Sequence, residues 1–105
     1  MKLTQEKVNE ILEKIKEISK AVRIILFGSL AWGTPHDNSD IDVLVVEEKY
    51  EDKHNEILKI KSELISSEYS IDILLFTRNE YEKKLKEGWS LLKNIEKNGK
   101  IFYAA

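Results

Sequence analysis

The chain has 105 residues, 42% of them hydrophobic and 34% charged, with a formal net charge of -2. That balance fits a single soluble globular domain over residues 1–105 and excludes both a disordered chain and a strongly basic nucleic-acid module. The lack of cysteine excludes a disulfide scaffold and any thiolate metal site.

Leu3, Val8, Ile11, Leu12, Ile15 and Ile18 recur at helical spacing between Lys and Glu, and Thr4 can cap the start. This predicts a helix over about residues 4–20 with one buried face. Val22 to Phe27 is a short β-branched and apolar run, read as a buried strand that ends at Gly28. Residues 33–40 have loop composition, and Ile41 to Val46 is a second strand. Glu47 to Lys53 reads as a charged connector, and Ile57, Ile60, Leu64 and Ile65 mark a second long helix. Ile71 to Phe76 is a third strand. Thr77 and Glu80 then have capping-box spacing for a helix with Tyr81 and Leu85 on its inner face. Gly88 breaks that helix, and another carries Leu91, Leu92 and Ile95 up to a stop at Gly99. Ile101 to Tyr103 reads as a last short strand or a packed tail. Tyr81, Leu85, Trp89, Leu91 and Leu92 are expected mostly in the core, with a partner surface as the alternative for some of them. The order predicts an α/β fold, a small mixed β-sheet packed against helices. No apolar run reaches the roughly 18–20 residues that span a bilayer, and the start of the chain is not a signal peptide, so the expected location is cytoplasmic.

Two features point to chemistry. Asp40 and Asp42 stand two residues apart, so strand alternation puts both carboxylates on one face, about 6–7 Å apart along the chain. Like charges so close repel, and shared Mg²⁺, with its preference for hard oxygen ligands, lets both stay ionised. Asp72 interrupts an otherwise apolar strand, where a charge needs a partner. If that strand lies beside the second one, the three acids form a carboxylate triad of the kind that holds two metal ions. Upstream, Gly28-Ser29 directly follows the first strand, at a point where outward backbone N–H groups can bind phosphate. The Gly-Lys-Ser/Thr ending of a Walker A loop is absent. A phosphate cradle beside a carboxylate triad implies phosphoryl-type chemistry.

The stretch GSLAWGTPHDNSDID, a Gly-Ser pair followed ten residues later by Asp-x-Asp, resembles the DNA polymerase beta-type nucleotidyltransferases, specifically their minimal (MNT) branch, the MntA-like antitoxins of HEPN/MNT pairs. The resemblance extends to the closing pattern GWSLLKNIEKNGKIFY. It implies that Gly28 and Ser29 bind the triphosphate and that Asp40 and Asp42 hold two Mg²⁺, with Mn²⁺ as a substitute. It also implies that Asp72 binds the catalytic metal and helps deprotonate the acceptor hydroxyl. The implied reaction moves a nucleoside monophosphate, AMP by expectation, from a nucleoside triphosphate such as ATP onto a HEPN-domain toxin, with no general nucleic-acid or membrane binding. Many relatives carry arginine where this chain has Leu30 and Trp32, so two phosphate-facing cations are missing.

Blander readings stand beside these. Asp40 and Asp42 also suit a turn-and-cap pair, Asp72 a structural acid on a sheet edge, and Gly28-Ser29 a strand end with a helix cap. Trp32 reads as partly buried, while His36, His54 and the Lys83, Lys84 and Lys86 group read as solvated. The competing functions are a non-catalytic antitoxin that occludes its HEPN partner and a small-molecule nucleotidyltransferase. The latter normally has an added helical domain for its acceptor.

Overall fold

The structure is a computed structural model that describes residues 4–28, 40–64 and 70–105. Thr4 accepts the Lys7 amide at 3.2 Å and starts α1 (Gln5–Ile18), whose Val8, Leu12 and Ile15 form a fully buried stripe. The chain continues through β1 (Ala21–Phe27), β2 (Ile41–Glu47) and α2 (Lys53–Ser62), which Asp52 caps. It ends with β3 (Ile71–Thr77), α3 (Arg78–Lys86), α4 (Ser90–Asn98) and β4 (Lys100–Ala104).

The four strands form one mixed sheet in the order β3-β2-β1-β4. β1 runs antiparallel to both β2 and β4, and β2 runs parallel to β3. The sheet is covered on both faces. Ile41, Val43 and Val45 of β2 join Val8, Leu12, Ile15, Ile60 and Leu64 in one core cluster, the side of α1 and α2. The alternate residues Leu44 and Val46 join Ile25, Phe76, Tyr81, Leu92 and Ile95 in the other, the side of α3 and α4. A central strand buried on both faces reads as continuous apolar sequence, which is why Val43 to Val46 shows no alternation after Asp42. Among the described residues no helix is long and apolar enough to cross a membrane.

The Thr77 capping box forms as expected. The Thr77 hydroxyl accepts the Glu80 amide at 3.1 Å, and the Glu80 carboxylate accepts the Thr77 amide at 3.0 Å. That box fixes the turn from β3 into α3. Gly99 does cap α4, but with an extended backbone (φ -70°) and not a left-handed one. A side chain there is excluded by packing, since a Cβ would lie 2.6 Å from the Ile95 carbonyl oxygen and 2.7 Å from Ile25 Cγ2.

Three expectations are corrected. Glu47 belongs to no connector: it is the last residue of β2 and has 0% of its surface exposed. It keeps the parity of Ile41, Val43 and Val45 and so points to the same buried side. Trp89 and Leu91 are not core but 45% and 49% exposed, because α4 turns Leu92 and Ile95 to the sheet. Trp89 instead lies under the Lys84 ammonium, 4.0 Å from the ring centroid. Asp72 is exposed and not enclosed in its strand, since β3 is a sheet edge. Ile65, Trp32 and His36 lie outside the described residues.

Candidate active site

The parallel pairing of β2 and β3 starts with Ile41 donating its amide to the Ser70 carbonyl at 2.8 Å. From there the register is continuous, and Asp42 lies directly opposite Asp72. Register partners on adjacent strands project to the same face, so the two carboxylates are neighbours. Asp40 immediately precedes β2, two residues before Asp42, and the alternation that places Asp42 carries it to the same side. This is the face of Leu44, Val46 and Phe76, so the acids extend the same rows of side chains that α3 and α4 cover further along.

The third wall is the end of β1. Phe27 is the antiparallel partner of Asp42, and Gly28 follows it with φ +77°. That conformation strongly favours glycine. The space above Gly28 is also filled: a Cβ built there would collide with the Asp42 carboxylate. Glycine is therefore required both by its backbone angle and by the acid that lies against it. Ser29, the other half of the expected phosphate-binding pair, lies outside the described residues, as does Leu30.

The electrostatics match the crowding. Burial raises the Asp42 carboxyl above the usual carboxylate range, the negative charges of Asp72 and then Asp40 raise it further, and a hydrogen bond shared with Asp72 adds to the effect. No lysine or arginine among the described residues counteracts this at Asp42. All three sequence-predicted acids thus come to one end of one sheet face. Asp42 and Asp72 are in contact there, while Asp40 acts on Asp42 through its charge. Among the described residues no three His, Cys, Asp or Glu side chains are gathered into a ready cage for a metal ion. As donors the acids nonetheless suit a divalent cation. They supply hard, anionic oxygens with unrelieved mutual repulsion, which Mg²⁺ or Mn²⁺ would relieve.

Sequence reasoning missed the polar groups that hold the framework. The Tyr50 hydroxyl donates to Glu80 at 2.5 Å, tying the β2–α2 connection to the start of α3. The Glu80 carboxyl is held below its ordinary range, first by the Thr77 amide and then by the Tyr50 hydroxyl. Tyr81 donates to Glu96, which also pairs with Arg23 at 3.3 Å, linking α3, α4 and β1. Burial, then Glu96, pushes the Tyr81 hydroxyl up. Nothing in the spacing of Tyr50 and Glu80, thirty residues apart, signals their contact. Glu47 was detectable from its parity with the apolar residues before it.

The profile of the family described as "Nucleotidyltransferase domain" matches residues 8–102. No curated protein is similar enough in sequence to count as a match. Among solved structures, one similar fold is described as a toxin–antitoxin with AMP-PNP: 23% identity, TM-score 0.64, covering 93% of this chain and 73% of that one. Another is the toxin–antitoxin MntA-HepT: 20% identity, TM-score 0.59, covering 97% of this chain and 74% of that one.

Proposed function

This chain belongs to the nucleotidyltransferase-domain family, and from that premise we propose that it transfers AMP from ATP to a hydroxyl group of a HEPN-type partner protein, as the antitoxin of a two-protein pair. The observation that carries this reading is the direct register of Asp42 with Asp72 beside Gly28. It puts paired carboxylates against the backbone at the end of β1. The fold shared with a toxin–antitoxin complex containing AMP-PNP supports an adenine nucleotide and a protein partner. The setting is the cytoplasm.

Each residue has a part that follows from its place. Gly28, lacking a side chain, lets the Asp42 carboxylate lie against it, and its amide, with the Ser29 hydroxyl as a further donor, would bind the β- and γ-phosphates. Asp40 and Asp42 would hold two Mg²⁺ with the triphosphate, and Asp72 would share one of them; exposed Asp40 would rotate inward to complete the set. The ions, when bound, supply charge neutralisation and a more acidic acceptor hydroxyl. Asp72 accepts the proton from that hydroxyl. The acceptor oxygen then bonds to the α-phosphorus, the bond from that phosphorus to the bridging oxygen breaks, and pyrophosphate leaves with its electron pair.

The test incubates α-labelled ATP, MgCl₂, the chain and its genomic-neighbour protein. Label is expected on the partner with the wild type and not with Asp42→Asn. Tight complex formation with no label would favour the second reading, an antitoxin that acts by occlusion. The absence of a preformed cage among the described acids is the observation that keeps that reading in view.

A further inference from the structure

At the end of β2 away from Asp42, and on the opposite face of the sheet, a pocket of about 510 Å³ opens between Lys20 just before β1, the β2–α2 connection and α2. Glu47 lines it. Among the described residues it is the one fully buried charged side chain, and neither of its carboxylate oxygens has a hydrogen-bond partner. Buried acids without partners are rare in native folds because desolvating an unpaired carboxylate is costly. Lys20 and Lys59 also line the pocket, yet neither forms an ion pair with Glu47.

Glu56 of α2 faces the same space and brings a second negative charge toward Glu47. Tyr50 has its hydroxyl committed to Glu80 and serves as a wall. The volume falls within the range of about 300–1,000 Å³ typical of small-molecule sites, far more than a bare ion needs. Among the described residues no three acids here form a metal cage. An anion is disfavoured by the two carboxylates at depth. At the mouth the charges are mixed, with exposed Lys20 and Lys49 beside exposed Glu51 and Asp52.

We propose that this pocket binds a small organic monocation with several N–H donors, a primary amine or a guanidine, whose head pairs with Glu47 and Glu56. Two such donors would satisfy the two orphaned oxygens together. This inference is independent of nucleotidyl transfer and fails or holds apart from it.

Protonation of Glu47 competes with such a ligand. Burial pushes its carboxyl up to about 7, Glu56 adds to the rise, and the Lys20 amide and the Lys59 ammonium oppose it only in part. The remaining charged groups around the pocket are Lys49, Glu51 and Asp52 on the connection. Binding should therefore strengthen as pH rises through about 7.

The experiment titrates the full chain with propylguanidinium chloride, followed by backbone amide shifts of Lys20, Tyr50 and Asn55, with tetramethylammonium chloride as a control that has charge but no N–H donors. Saturable shifts are expected with propylguanidinium alone, tighter at pH 8 than at pH 6, and at least tenfold weaker in Glu47→Gln. Glu56→Gln serves as the second variant and should weaken binding in the same direction. Absence of saturation, an equal response to tetramethylammonium, or unchanged affinity in both variants would overturn the proposal.

Discussion

Replacing Glu47 by Gln should stabilise the free protein at pH 8 and leave it almost unchanged near pH 4. In the unfolded chain this carboxyl titrates near 4.5, whereas in the fold burial, followed by the nearby Glu56 carboxylate and its charge, raises it to about 7. The folded state therefore binds the proton more tightly than the unfolded state. Stability from this group is full below about 4.5, falls as pH rises toward about 7 and is flat above that. At about 1.4 kcal/mol per pH unit, the whole loss is roughly 3 kcal/mol. Part of it belongs to Glu56, whose titration is linked to that of Glu47, so removing the Glu47 charge should recover about 2–3 kcal/mol at pH 8. A glutamine amide can also donate to the Glu56 carboxylate, which an ionised Glu47 cannot. The assay is urea unfolding of both proteins from pH 4 to 8.5, with equal slopes required for the comparison. A difference independent of pH, or a Gln variant less stable at pH 8, would refute the reasoning.

Two further changes probe other parts of the account. Gly28→Ala should destabilise the fold by about 1–2 kcal/mol for the left-handed backbone alone. It should also abolish ATP-dependent thermal stabilisation, because the new methyl displaces Asp42; retention of that stabilisation would show that the Gly28–Asp42 contact is dispensable. Thr77→Ala removes one half of the capping box and should cost about 1 kcal/mol in urea unfolding, with a smaller effect if the Glu80–Tyr50 contact alone holds the turn.

Much of the fold is legible in the chain because its local signals agree. Thr4 and Thr77 cap where caps were expected, the apolar run Val43–Val46 lies in the doubly covered strand, and Ile101 to Tyr103 forms the middle of the edge strand β4. The acids were legible through spacing: Asp40 and Asp42 by alternation, and Asp72 as the one charge in an apolar strand. What spacing does not encode is partnership across the sheet. That Asp72 lies opposite Asp42 depends on the parallel register, and that it is exposed depends on β3 being an edge. Trp89 and Leu91 could not be told from Leu92 beforehand, because a hydrophobic side chain does not state which face of a nine-residue helix the sheet will take. Glu47 was misplaced because charge outweighed parity in the reading, whereas in the fold strand continuity outweighed charge.

Nucleotidyl transfer by this chain requires Asp40, Asp42 and Asp72 to meet around divalent metal beside Gly28. Paramagnetic Mn²⁺, added with AMP-PNP at substoichiometric level, tests this directly by amide NMR. The account predicts selective broadening at Gly28, Asp42 and Asp72, none at Glu47 on the far end of the strand, and loss of the effect in Asp42→Asn. Uniform weak broadening, or the same selective pattern in the variant, would contradict it.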